Sequence, residues 1–388
     1  MTDDRVVELL REMVRIESVN LAYPGGVGEA AMADYVETWA RAAGFRVERQ
    51  VLDTGQTNVL VTLDVPNAAG TLLYEAHMDT VALAPMERAL DAEVRDGRVY
   101  GRGACDTKGS MAAMMVAMER LAARRDELAV NVALVAVVDE EHAFTGVLRY
   151  IASDAEATAA VVGEPTDLRL VIAHKGCVRG EVRTTGKAAH SAKPHLGVNA
   201  IDAMADVLVG LRELPETLAR QSHPLLGSPT FSVGLIEGGT GVNVVPASCA
   251  ITYDRRVLPH ERHDDALAEL DAALDRVRAR RKDATIERPA PYLVSDALDT
   301  EPDAPLVRAA SSACEAAGVD PDPIGVPYGT DASKLQTRRG IPAVVLGPGS
   351  IGQAHGADEF VPIDELHLAA EIYAGIALRF RPEETSER

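Results

Sequence analysis

Val132-Ala133-Leu134-Val135-Ala136-Val137-Val138 is an unbroken apolar run that stops at three acids, Asp139-Glu140-Glu141. A strand with one wet face alternates apolar and polar residues. A run without alternation is a strand buried on both faces, as in a parallel sheet covered by helices on either side. Carboxylates at its end sit where open α/β sheets bind ligands, beyond the carboxyl ends of the strands. Adjacent acids beside a core repel unless a cation neutralises them or a proton is shared. An acidic loop on an acidic protein is the plain alternative. If strand geometry persists, Glu140 and Glu141 face opposite ways, so one can bind a metal while its neighbour reaches over a water. His142 reads as a surface or supporting residue.

Outward from this strand the alternation continues. Helical periodicity is expected at 6–16 and at 30–43, the second stopping at Gly44, and strands at 59–63 and 72–76. A helix over about 109–124 and a short strand at 160–163 follow. The middle reads differently: strand 177–185, helix 197–218, strands 230–236 and 249–257, helix 264–281, strand 285–289. That order, β-α-β-β-α-β, marks a ferredoxin-like unit. Beyond Pro291 the alternation returns with helix 305–317, strand 343–346 and helix 363–380. The expected fold class is α/β: a layered mixed-sheet domain of residues 1–175 and 292–388, interrupted by a ferredoxin-like α+β domain at 176–291.

Length and composition agree. A chain of 388 residues is long enough for two or three domains of about 100–200 residues. With 47% hydrophobic and 25% charged residues it is neither disordered nor fibrous. Lys and Arg number 39 against 59 Asp and Glu, a net charge of −20 that repels phosphate backbones and anionic lipid. No nucleic-acid or membrane partner is expected. Met1-Thr2-Asp3-Asp4-Arg5 is acidic where a signal peptide needs base, and the most apolar stretch, 129–138, falls far short of the roughly 20 residues of a membrane span. Cys105, Cys177, Cys249 and Cys314 form no C-x-x-C pair, which suits the reducing cytoplasm rather than a disulfide framework.

Four further places present an acid or a histidine. In Ala76-His77-Met78-Asp79-Thr80, His77 and Asp79 lie two apart on a strand end and can point the same way, so the carboxylate can accept from the imidazole and fix its tautomer. From H-x-D alone, a core histidine beside a solvated aspartate is the commoner arrangement. In Gly101-Arg102-Gly103-Ala104-Cys105-Asp106 the third glycine of a dinucleotide fingerprint is replaced by Asp106, an anion where pyrophosphate would sit. An aspartate in a glycine-rich turn before a helix suits a cation instead. Glu164 follows the strand at 160–163, and His355 closes the turn-rich loop 347–355. Two histidines with three carboxylates can hold a pair of metals with one carboxylate shared. Nitrogen and oxygen donors without thiolate suit Zn²⁺, with Co²⁺ or Mn²⁺ conceivable.

Together with G-R-G-A-C-D-T-K-G (101–109), G-E-P-T (163–166), A-H-K-G (173–176), A-H-S (189–191), N-V-V-P (243–246), G-T-D-A (329–332) and L-G-P-G-S-I-G-Q-A-H (346–355), these segments resemble a known family over essentially the whole chain. It is the acetylornithine deacetylase and succinyl-diaminopimelate desuccinylase group of dinuclear zinc amidohydrolases, with aminoacylase and glutamate carboxypeptidase relatives. The resemblance implies that Asp106 bridges two divalent ions, zinc or else cobalt. His77 and Glu164 would complete one site, Glu141 and His355 the other. Glu140 would be the general base, Asp79 the partner of His77, and the peptide after Asp106 cis.

The insert would be a dimerisation or lid domain of a cytoplasmic homodimer, with His190 steadying the oxyanion in the partner's site. Arg256 and Asn243 would bind the substrate, a small N-acyl amino acid. G-E-P-T, Arg256-Val257-Leu258-Pro259 and the segment ending at His355 look most like acetylornithine deacetylase, an enzyme of arginine biosynthesis. Val257 stands where that subgroup tends to have proline, Asp331 where it has glutamate, and Gly352 where it often has asparagine. These departures leave open a desuccinylase, dipeptidase or carboxypeptidase activity on the same centre. A catalytically silent binding protein of the same fold is the non-enzyme alternative.

Overall fold

The computed structural model describes residues 4–383, which form two compact units; Met1-Thr2-Asp3, read above for its charge, lies outside them. The first unit takes the chain up to Ile172, then Thr300–Ile324 and the chain from Thr330 on. The second takes Ala173–Asp299 and Gly325–Gly329.

In the first unit the sheet runs Arg46–Val51, Thr57–Leu63, Asn131–Val137, Thr71–His77, Ala159–Val162, Ala343–Val345, and Val345 pairs with Val171 at the start of the next strand. The four strands from Asn131–Val137 to Ala343–Val345 are mutually parallel; the strands directly beside them run antiparallel, and Arg46–Val51, antiparallel to Thr57–Leu63, points the same way as the four. The apolar run is buried on both faces from Val132 to Val137, as its lack of alternation requires. Arg5–Val14, Ala30–Ala42, Lys108–Ala122, Pro305–Ala316 and Ile363–Arg379 share one core with Val59, Leu72, Tyr74 and Leu134 of the sheet. Thr145–Ile151 packs against Ala332–Arg339, and both meet the sheet strands. Arg5–Val14 buries Val6, Leu9, Leu10, Met13 and Val14, a single helical stripe. Each fully buried side chain of that size contributes about 1.5–3 kcal/mol. Lys108–Ala122 is apolar nearly all round and correspondingly buried.

In the second unit the antiparallel sheet runs Thr230–Gly238, Ser248–Val257, Gly176–Thr185, Thr285–Glu287. The helices Ala200–Leu211 and His263–Arg280 share its core, completing the β-α-β-β-α-β order. Leu293–Ser295 also ladders with Gly176–Thr185, which holds that stretch to the second unit.

Several elements differ from expectation. The helix read over 197–218 begins at Ala200, where the Asn199 side chain accepts from the Ile201 and Asp202 amides, and it ends at Leu211. A separate short helix, Leu214–Leu218, has Pro215 in its first turn, where a proline needs no amide partner. Arg46–Val51 was not anticipated because an edge strand of charged residues lacks the apolar signal. Among the described residues no helix is long and apolar enough to cross a membrane. All four cysteines are buried, and none forms a disulfide among the described residues.

Candidate metal centre

The carboxyl ends of the four parallel strands converge on one place in the first unit. Thr71–His77 ends in His77 itself, Asn131–Val137 leads into Asp139, Glu140 and Glu141, and Ala159–Val162 leads to Glu164. Ala343–Val345 leads into the loop that carries His355, and Asp106 occupies the turn before Lys108–Ala122. Asp106 faces two imidazoles: its Oδ1 lies 2.9 Å from His77 Nε2 and its Oδ2 lies 3.2 Å from His355 Nε2. His355 Nε2 is also 3.0 Å from Glu141 Oε1, and His77 Nε2 is 3.9 Å from Glu164 Oε1. Among the described residues, His77, Asp106 and Glu141 hold ligand atoms within 4.8 Å of one another, and so do His77, Glu140 and Glu164. The Asp106–Thr107 peptide is cis, as the resemblance implies.

Glu140 and Glu141 do not face opposite ways as strand alternation would have them: both reach toward His77, Glu140 together with Glu164 and Glu141 together with Asp106. The strand stops at Val137, and Asp139 turns the chain with φ +63. Both following amides then donate to one carboxylate, Glu140 N to Asp79 Oδ1 and Glu141 N to Asp79 Oδ2, each at 3.1 Å. The orientation of His77 also differs from the reading of H-x-D. Its Nδ1 meets the Asp79 backbone carbonyl at 2.9 Å, while Asp79 Oδ1 stands at 3.5 Å. The carboxylate is turned toward the acid loop because two backbone amides there need an acceptor.

The electrostatics are those of crowded acids. Burial, then neighbouring carboxylates, push the Glu140, Glu141 and Glu164 carboxyls above the usual range, while His77 pulls them down. Burial also opposes ionisation of Asp106, but its contacts with His355 and His77 outweigh it and hold this carboxyl below the usual range. His355 is raised to about 10 by Asp106 and Glu141. Four carboxyl groups in a buried space, with two imidazoles and no thiolate, fit divalent cations that would replace these ion pairs.

The second unit carries the other three expected residues. His190 is exposed and pairs with Val244 in a two-stranded ladder, and Ser191 N donates to the Asn243 carbonyl at 3.0 Å, so His190 and Asn243 are neighbours. His190 Nδ1 accepts from Ala192 N at 3.1 Å, which leaves the ring proton on Nε2. Arg256 lies apart from them, on Ser248–Val257, forked onto Asp254 with Nε–Oδ1 2.8 Å and Nη2–Oδ2 3.2 Å.

Three supports escaped the sequence reading. Glu359 is buried, accepts from the Cys105 and Asp106 amides at 3.0 and 3.1 Å, and pairs with buried Arg102 at 2.5 Å. Lys108 Nζ is buried and donates to the Met13 and Ile16 carbonyls at 3.0 and 2.9 Å. Asn20 Nδ2 donates to Asp79 Oδ2 at 2.7 Å and to Asp139 Oδ1 at 3.0 Å. Arg102 and Lys108 fall within the glycine-rich segment, where a cation beside an aspartate was the available signal. Asn20 and Glu359 offered none.

An α/β sheet whose parallel strand ends gather histidines and carboxylates in two overlapping clusters defines a metal-dependent hydrolase. The chain belongs to peptidase family M20/M25/M40, whose model matches residues 73–379. It is 30% identical over 387 residues to a Vibrio parahaemolyticus protein named acetylornithine deacetylase, covering 96% of this chain and 98% of that one. A Myxococcus xanthus protein of the same name is 33% identical over 362 residues, 90% and 92% of the two chains. In fold it is similar to an M20 family metallo-carboxypeptidase from Sulfolobus solfataricus, with TM-score 0.79, 20% identity and coverage of 97% and 99%. A dinuclear metal-binding M20 peptidase from Bacillus subtilis is similar at TM-score 0.72 and 17% identity, over 96% and 97% of the two chains.

Proposed function

We propose that this chain hydrolyses the amide bond of N-acyl amino acids, N-acetylornithine foremost, in the cytoplasm and in the service of arginine biosynthesis. The observation that carries the reading is Asp106, whose two oxygens each meet the Nε2 of a different histidine. So placed, Asp106 would be shared by two ions, one held with His77 and Glu164 and the other with Glu141 and His355. The names of the full-length relatives, at about 30% identity, support the substrate class.

When bound, two divalent ions, zinc or else cobalt, supply Lewis acidity to the amide carbonyl and lower the pKa of water. Glu140 takes a proton from the attacking water and hands it to the departing amine nitrogen, a role suited to a buried carboxyl whose affinity for protons is raised. Asp79 holds His77 and the acid loop in register. His190 donates its Nε2 proton to the oxyanion, consistent with the tautomer set by Ala192. Asn243 contacts the substrate, and the guanidinium of Arg256 orients its α-carboxylate, favouring acylated amino acids over simple amides.

We further propose a homodimer joined through residues 176–291. Thr230–Gly238 is the edge of its sheet and leaves Leu235 69% and Ile236 58% exposed, a surface suited to pairing across a two-fold axis.

The test is a panel of N-acetylornithine, N-succinyl-diaminopimelate and simple dipeptides on zinc-reconstituted protein. N-acetylornithine should give the highest kcat/KM, chelation should abolish turnover, and Zn²⁺ or Co²⁺ should restore it. Faster turnover of dipeptides would move the assignment to the peptidases of the family.

A further inference from the structure

Asn20 belongs to no motif, yet it lies at the root of the acid loop. It is 1% exposed, and its Nδ2 gives one hydrogen to Asp79 Oδ2 and the other to Asp139 Oδ1. The amide can face only this way, because Ala22 N donates to its Oδ1 at 2.9 Å. The backbone is held as firmly. Asn20 N donates to the Thr80 carbonyl and Tyr23 N to the Asn20 carbonyl, both at 3.0 Å. Gly26 crosses so close that an added Cβ would stand 2.1 Å from the Asn20 carbonyl oxygen.

The two acids bridged by Asn20 control the acid loop from both ends. Asp79 receives the Glu140 and Glu141 amides, and Asp139 begins the turn and accepts from Thr145 Oγ1 at 2.6 Å. Both acids are buried, Asp79 at 0% and Asp139 at 7% exposure, and would repel each other without a donor between them. A primary amide satisfies one oxygen of each while adding no charge. Aspartate at position 20 would add a third anion, and alanine would leave two buried acceptors facing one another.

We infer that Asn20 is a positioning residue: by locking Asp79 to Asp139 it sets where the Glu140 and Glu141 carboxylates stand. The inference rests on the proposed roles of Glu140 as base and Glu141 as a ligand. It predicts an effect larger on the side of the centre that Glu141 serves than on the side of His77 and Glu164. Loss of a group that orients a ligand typically weakens activity or metal affinity by about 10–100-fold.

In Asn20→Ala the expected result is a kcat lower by about 10–100-fold with KM changed by less than about two-fold. Zinc titration against a chromophoric chelator should show one equivalent released about 10–100-fold more readily and the other affected distinctly less. Asn20→Ser, which keeps a single donor, should fall between Asn20→Ala and the wild type, and it carries the same reading if the alanine variant does not fold. A kcat per metal-loaded enzyme within about two-fold of wild type would overturn the inference. So would equal weakening of both zinc equivalents together with a lowered Tm, the mark of a packing role alone. Failure of the underlying reading is separate: turnover retained by Glu140→Gln would remove the base whatever the Asn20 variants do.

Discussion

At the scale of single residues, Glu140 and Glu141 are adjacent in sequence and separate in chemistry. Glu141 groups with His77 and Asp106 and meets His355, whereas Glu140 groups with His77 and Glu164. If Glu140 moves protons and is not required as a ligand, Glu140→Gln keeps the shape and the backbone bond to Asp79 while removing the base. Turnover should fall by about 10²–10⁴-fold, with metal content near two equivalents by elemental analysis. Loss of one equivalent would make Glu140 a ligand instead. Glu141→Gln should show the opposite pattern, losing metal along with activity.

At the scale of elements, the turn that presents Asp106 is braced from the far end of the chain. Glu359 accepts two amides of that turn and pairs with Arg102, whose Nε also donates to the Ala82 carbonyl at 3.0 Å. Both partners are buried, so removing one charge strands the other in the interior, at a cost of about 3–5 kcal/mol. Glu359→Gln should therefore lower the urea midpoint of the metal-free protein, with a loss of unfolding free energy of that order. An unchanged midpoint for Glu359→Gln would show that the pair adds nothing to the turn.

At the scale of the whole molecule, the residues of the first unit form the centre, while His190 and Asn243 stand on an exposed ladder of the second. The proposed dimer gives His190 its task if it serves the neighbouring subunit. His190→Ala and Glu140→Ala chains, each inactive as a homodimer, should regain activity when mixed and reassociated. The mixed dimer then holds one site with intact ligands and base on one chain and an intact His190 on the other. Mixed dimers that form and stay inactive would place His190 within its own chain's chemistry or outside it altogether.

Most of the fold was open to reading because its signals are local. The alternation-free run at 132–138, the amphipathic stripe of Arg5–Val14 and the order of elements in the insert are properties of consecutive residues. The ligand types were equally visible, since an acid or histidine after a strand or in a glycine-rich turn announces itself. What escaped was everything set by contact across the chain. Asn20 lies 59 positions from Asp79, and Glu359 lies 254 from Cys105 and 253 from Asp106. No periodicity links such pairs. The gathering of Glu140 and Glu141 about the same His77 escaped for a related reason. Strand alternation would separate them, but the chain turns at Asp139, and the turn is held by carboxylates and an amide that only folding brings beneath it. Residue types and local periodicity therefore select the sheet and the chemistry at its edge, while the long-range hydrogen bonds of buried acids, each needing a donor, place the carboxylates.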